Sequence, residues 1–166
     1  LSRQATHDPL TGLFNRRYLD QILYGEIAHA RQSGSLLGIV MADVDYFKHI
    51  NDKYGHMAGD LMLKTVGDLR KSCVLSADIV CRYGGEEFVL IMSDASLEVT
   101  LERAEQLRDK AKGLQVQYQD QPLGPITLSF GVAMFPTHGL TPELGLKAAD
   151  AALYRAKQEG RDRVVV

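Results

Sequence analysis

The chain reads as an α/β (α+β) protein: a mostly antiparallel central sheet of about five strands, flanked by helices. Three observations predict this. Short apolar runs and amphipathic stretches follow one another in the order strand, helix, hairpin, helix, strand, helix. Residues 79–83 and 88–92 are strand-like on either side of Gly84-Gly85-Glu86-Glu87, which makes them a hairpin. No internal repeat, low-complexity tract or linker interrupts the 166 residues, so a single domain over residues 1–166 is expected.

The opening segment, His7-Asp8-Pro9-Leu10-Thr11-Gly12-Leu13-Phe14-Asn15, is rich in turn formers and ends in a good N-cap. Leu19, Ile22, Leu23, Ile27 and Ala30 then form the stripe of a first helix that stops near Ser33-Gly34. Residues 36–42 are a continuous apolar run, which suits a strand buried on both faces. Met62, Val66, Leu69 and Cys73 mark a second helix, and Leu97, Leu101, Ala104, Leu107 and Ala111 a third. Residues 116–118 read as a short edge strand and 126–135 as a long strand. Leu146, Ala149, Leu153 and Ala156 mark a last helix closed by Gly160, and residues 164–166 add a terminal strand. Tyr46, Phe47, Met57 and Met62 read mostly as packing residues.

A net charge of −2 offers no basic footprint for a nucleic-acid polymer, although it permits the local cation cluster that a mononucleotide needs. The longest apolar runs, 36–42 and 88–92, are too short to span a bilayer, so no membrane contact by this domain is expected. Cys73 and Cys81 fit no metal or redox spacing and read as two buried thiols in a reducing compartment. The chain starts at Leu1 and shows no signal peptide. It is expected to be a cytoplasmic domain excised from a longer protein.

The chemistry concentrates at Arg82-Tyr83-Gly84-Gly85-Glu86-Glu87-Phe88. A hairpin turn wants glycine for its positive φ and gains nothing from two adjacent like charges. Two carboxylates beside a thin backbone point to a divalent metal carrying a phosphorylated substrate. The alternative is a solvated hairpin whose charges discourage edge pairing. Asp43 lies at the carboxyl end of the first buried strand, where α/β sheets place their sites, and alternation puts it on the same face as Asp45. The alternative for Asp43 is an N-cap of the next helix. If the first strand pairs with the hairpin, Asp43 and Glu86 meet, and their oxygens suit magnesium or manganese.

Six ordered motifs then carry a resemblance. They are Asp8-Pro9-Leu10-Thr11-Gly12-Leu13 with Asn15-Arg16-Arg17; Asp43-Val44-Asp45-Tyr46-Phe47-Lys48; and Asn51-Asp52-Lys53-Tyr54-Gly55-His56 with Gly59-Asp60. The others are Arg82 through Phe88, Ser129-Phe130-Gly131-Val132-Ala133, and the stretch from Ala149-Asp150 to Arg163. Together they resemble the GGDEF domain of the diguanylate cyclase family, here with the Gly-Gly-Glu-Glu-Phe variant of its signature. Neither G-x-x-x-x-G-K-[ST] nor G-x-G-x-x-G occurs.

The resemblance implies a fold like the palm of polymerases and class III nucleotide cyclases. It implies condensation of two GTP into cyclic di-GMP and two pyrophosphates across a homodimer, each subunit holding one GTP. Asp43, Glu86 and the Val44 carbonyl, with Glu87 as a further carboxylate, would bind two magnesium or manganese ions per active site. Glu86 would also orient or deprotonate the attacking 3′-hydroxyl, and Lys48 would contact phosphate. Backbone N–H groups at Phe47 and Lys48 suit the terminal phosphates, and Gly84 and Gly85 let substrate approach. Asn51 and Asp60 resemble the family's guanine readers, and His56 matches a position at that pocket or merely orders its turn. Lys157 and Arg161 match phosphate contacts, or else stabilise a helix C-terminus. A sensory or regulatory region upstream is implied, and a location that is cytoplasmic, either free or as part of a membrane-anchored bacterial protein.

One departure stands out. The family's inhibitory product site, Arg-x-x-Asp, reads Leu75-Ser76-Ala77-Asp78 here, and the position of its second arginine is Gln106, with Arg103 one turn away. The site is expected to be degenerate. The alternative to an active cyclase is a catalytically silent GTP-binding or protein-docking module, which would typically have lost the glycine pair, the carboxylates or the guanine readers.

Overall fold

A computed structural model describes residues 2–166. Its elements run α1 (Arg3–Thr6), β1 (Phe14–Asn15), α2 (Arg16–Ser33), β2 (Leu37–Val44), α3 (Phe47–Tyr54), α4 (His56–Gly67), α5 (Arg70–Cys73), β3 (Ile79–Arg82) and β4 (Glu87–Ser93). There follow α6 (Leu97–Lys112), β5 (Gln117–Tyr118), β6 (Gln121–Pro122), β7 (Leu128–Phe135), α7 (Pro142–Gln158) and β8 (Val164–Val165). The main sheet has six strands in the order β1-β3-β4-β2-β7-β8.

The sheet is mixed. Its four central strands pair antiparallel, whereas β1 and β8 join the edges in parallel. The expectation of about five mostly antiparallel strands fell one short: the terminal strand formed as expected, but the two-residue β1, in a segment read as turn and N-cap, leaves almost no periodic signal. Residues 117–118 do not form an edge of this sheet. They pair with β6 in a separate two-residue ribbon.

β2 is buried along its whole length because both of its faces are covered. Val40, Ala42 and Val44 pack with Phe47, Ala58, Met62 and Phe130 on the α3–α4–α6 side. Ile39 and Met41 pack with Leu19, Leu23, Ile27 and Leu153 of α2 and α7 on the other. Asn15 caps α2, its side chain accepting from Tyr18 N at 2.9 Å, and Gly34 closes that helix with left-handed φ of 68°. α7 lies very close to β7: a Cβ at Gly131 would stand 2.1 Å from the Ala149 carbonyl oxygen. That contact fixes where the C-terminal end of α7 meets the end of β2.

The helix expected through Cys73 is instead broken after Gly67, with α5 as a separate turn. Gly67 presses against Thr11 and Leu13, which the stripe of apolar residues could not reveal. Cys81 is buried, its thiol pushed up to about 12 by burial, but Cys73 is only half-buried, so the pair of buried thiols is corrected to one. Met57 is 71% exposed and Tyr46 65% exposed, so neither is a packing residue. Phe47 and Met62 are buried as expected. No described helix is long and apolar enough to cross a membrane.

Candidate functional site

Asp43 sits at the carboxyl end of β2, buried, in register with Glu87 of β4, and Val44 N donates to the Glu86 carbonyl at 3.3 Å. Strand pairing thus brings Asp43 to both glutamates. Lys157, in the last turn of α7, reaches Asp43 Oδ2 at 2.5 Å. Burial pushes the Asp43 carboxyl above the usual range, and Lys157 opposes the shift without cancelling it. Glu86 and Glu87 are raised too, first by burial and then by the negative charge of Asp43. Three carboxylates disfavoured in their charged forms, with one ammonium among them, are a donor set that gains from a hard cation. Among the described residues, no three His, Cys, Asp or Glu side chains stand together closely enough to hold a metal ion by themselves.

The glycine pair does not serve the turn as expected: neither Gly84 nor Gly85 adopts positive φ. Arg82 ties the turn instead, donating from Nη2 to the Gly85 carbonyl at 2.9 Å and from Nη1 to Asp8 at 3.2 Å. A Cβ at Gly85 would meet nothing within 4 Å. The bare backbone lines an open cleft of about 430 Å³ with Phe47, Lys48, Asn51, Gly84, Glu86 and Glu87.

The start of α3 faces the same cleft. Its N-cap is Tyr46, in left-handed backbone with φ 57° and no capping side-chain bond. Asp43 is therefore not the cap. The N-termini of α2, α6 and α7 are each capped by a side chain, from Asn15, Ser96 and Thr141. Asn51 leaves a buried Oδ1 with no hydrogen-bond partner among the described residues. It can lie there only because position 59 has no side chain: a Cβ at Gly59 would be 1.8 Å from that oxygen.

Among the residues expected from sequence, Phe47, Lys48, Asn51, Gly84, Gly85, Glu86 and Glu87 converge on the cleft. Asp43, with Lys157, adjoins it through the paired strands. His56 and Asp60 are exposed on α4, outside the cleft lining, with Asp60 next to the glycine that Asn51 packs upon. Lys157 and Arg161 point to Asp43 and Asp45. Leu75 is exposed, whereas Asp78 is half-buried, with its side chain covered and paired with Arg103 at 3.3 Å. Arg103 is thus already committed. Sequence reasoning missed Arg82 as the tie of the turn and Asp45 as an acceptor for Thr127 and Ser129. A second aspartate two residues after Asp43, on a strand end too buried for solvent, was the available signal.

Comparison with known proteins identifies the family and the fold. The family profile "Diguanylate cyclase, GGDEF domain" matches residues 5–163. Diguanylate cyclase DosC of Escherichia coli K12 is 42% identical over 157 residues, 95% of this chain and 34% of DosC. The chain thus spans about a third of that relative's length. The GGDEF domain of DgcB from Caulobacter crescentus, solved in complex with c-di-GMP, superposes with a TM-score of 0.92 at 33% identity, covering 99% of this chain and 94% of that one. The active GGEEF domain of a diguanylate cyclase from Vibrio cholerae gives 0.84 at 30% identity, covering 91% and 95%.

Proposed function

The chain belongs to the diguanylate cyclase GGDEF domain family, and from that membership and the chemistry of its site we propose that it condenses two GTP into cyclic di-GMP and two pyrophosphates. The observation that carries the reading is the set of three carboxylates with raised pKa, Asp43, Glu86 and Glu87, beside a cleft where the buried Asn51 carboxamide oxygen lacks a partner.

In the reaction, the 3′-hydroxyl oxygen of one GTP attacks the α-phosphorus of the other, and the bond to pyrophosphate breaks. The second linkage forms the same way with the roles exchanged. One site holds one nucleotide, so two copies of the chain face each other. Glu86 orients the 3′-hydroxyl and takes up its proton. The α3 N-terminus offers the N–H groups of Phe47 and Lys48, and the Lys48 ammonium adds positive charge where the transition state gains negative charge. Lys157 and Arg161 hold phosphate from the α7 side. Asn51 Oδ1 accepts from a guanine N–H, and Asp60 accepts from N1–H and the exocyclic amine together, which adenine cannot offer. Asp43, Glu86, Glu87 and the Val44 carbonyl would hold two magnesium or manganese ions. When bound, these ions neutralise the charge that develops on the phosphates. The domain works in the cytoplasm downstream of a sensory region.

The test is to incubate the chain at high concentration with GTP and magnesium and look for cyclic di-GMP. Product is expected, with specific activity rising with enzyme concentration because two copies must meet. GTP binding with no product at any concentration would make this a silent module.

A further inference from the structure

Beside the site, Arg161 and Asp162 hold consecutive left-handed backbone, with φ of 64° and 45°. Among the described residues the one other such pair of neighbours is Gln119–Asp120, in the two-residue turn between β5 and β6. There a tight hairpin of that kind requires it. Between α7 and β8 no hairpin does. Left-handed backbone in non-glycine residues persists only where the surroundings over-determine it, and such places cluster at functional sites.

Two independent sets of contacts act on this turn. From the sheet side, Asp45, whose side chain is 0% exposed, accepts from Thr127 Oγ1 and Ser129 Oγ at 2.7 Å each. It also accepts from Asp162 N at 3.1 Å, a donor shared with Ser129 Oγ at 3.1 Å. From the other side, two α6 cations grip the Asp162 carboxylate: Arg108 Nη1 at 2.9 Å and Lys112 Nζ at 3.0 Å. Arg108 Nη1 also reaches the Asp162 carbonyl at 3.3 Å. Between these grips, Arg161 N donates to the Ala156 carbonyl at 2.9 Å, tying the turn to α7. The Arg161 guanidinium then stands with Nη1 4.0 Å from Asp45 Oδ1 and Cζ 4.9 Å from the centre of the Tyr46 ring.

We propose that Asp45 and the Arg108–Asp162–Lys112 ion cluster are positioning residues that clamp the Arg161–Asp162 turn from both sides and so set where Arg161 meets the triphosphate. The proposal rests on the phosphate role assigned to Arg161 above. Arg108 and Lys112 lie on α6, outside the cleft lining. The turn they grip is the contact that links them to Arg161.

The probe is 3′-deoxy-GTP with magnesium. It lacks the attacking hydroxyl, so its Kd is read without turnover. Asp162→Asn removes the charge but keeps a residue that tolerates left-handed backbone. Asp162→Asn and Arg108→Ala are each expected to raise Kd at least fivefold, well below the melting temperature of each variant. Arg108→Lys should recover most of the loss. In an Arg161→Ala background the same two substitutions should change Kd less than twofold, because the group they position is gone. If Arg161→Ala alone binds like the parent, the phosphate role of Arg161 is wrong. If it binds weakly while Arg108→Ala and Asp162→Asn match the parent, the clamp is wrong. Equal losses in both backgrounds would show that the cluster acts on the fold rather than through Arg161, which also overturns the proposal.

Discussion

Asp8 and Asp43 both stand beside the glycine hairpin, yet their surroundings push them in opposite directions. Asp8 accepts from Thr11 N at 2.8 Å, Thr11 Oγ1 at 2.7 Å and Arg82 Nη1 at 3.2 Å. Burial alone would raise its carboxyl, but the Thr11 bonds and the Arg82 charge outweigh burial and hold it below the usual range. Asp43 is raised by burial, with the Asp45 charge adding to the rise, and Lys157 and Arg161 oppose the shift without cancelling it. The difference separates a carboxylate that builds the site from carboxylates that the fold leaves wanting a partner. At the helix starts, α2, α6 and α7 are capped by side chains, whereas α3, which opens on the cleft, is not, and neither are α1, α4 and α5. Groups satisfied within the chain should govern stability, and groups left open should govern function.

The sharpest way to break this contrast is Glu86→Ala. It removes an open carboxylate from a turn and no hydrogen bond within the chain. Turnover should fall by about a hundredfold or more, the scale of losing one electrostatic contribution to the transition state. Circular dichroism should be unchanged, and product at the parent rate would contradict the assignment.

Gly59→Ala comes next. Its Cβ would press on Asn51 Oδ1 and stand 3.0 Å from Phe47 Cζ, so the carboxamide must leave its place. Losing one hydrogen bond to guanine corresponds to about a tenfold weaker grip on 3′-deoxy-GTP, with overpacking costing about 1–3 kcal/mol of stability. An unchanged Kd, measured by titration, would remove Asn51 from the site.

Asp78 is an intermediate case, half-buried and raised by desolvation although Arg103 and the Leu75 N–H hold it. With leucine at position 75 and Arg103 committed, added cyclic di-GMP should not strongly inhibit the initial rate at saturating GTP. Leu75→Arg should restore part of that feedback, since a charge-assisted bond contributes about 1.5–3 kcal/mol. Potent inhibition of the parent that excess GTP does not relieve would refute this.

The smallest effect belongs to the satisfied side. Asp8→Asn should cost about 1–2 kcal/mol at pH 7, because it weakens charge-assisted bonds in a partly buried pair. The folded pKa of Asp8 lies below its unfolded value of about 3.8, so the contribution is complete above that value. It is lost as pH falls through the folded pKa. Urea melts at pH 7 and pH 3 should show the difference shrinking; a constant gap would point to packing rather than charge.

Much of this was legible in the chain itself. The stripe at Leu19, Leu23, Ile27 and Ala30, the run through β2 and the two hairpin strands each carry a local period, and each formed where expected. Asp43 and Glu86 stood out because carboxylates beside buried strands and glycines have few structural uses, whereas Lys48 and Asn51 entered through the resemblance to the GGDEF domain. The misreadings came where neighbours distant in sequence decide. Met57 lies on an exposed face of α4, and Tyr46, the left-handed N-cap of α3, lies exposed beside the Arg161 guanidinium.

Local periodicity and residue chemistry thus determined the order of elements, the hairpin and the candidates for the site, because strands and helices announce their faces within a few residues. Tertiary structure decided which of those candidates touch. Strand register placed Asp43 opposite Glu87, close packing at Gly131 set the α7 end that carries Lys157, and Arg82 rather than glycine conformation held the turn. Each of these depends on contacts between residues dozens of positions apart, whose energy no window of sequence contains.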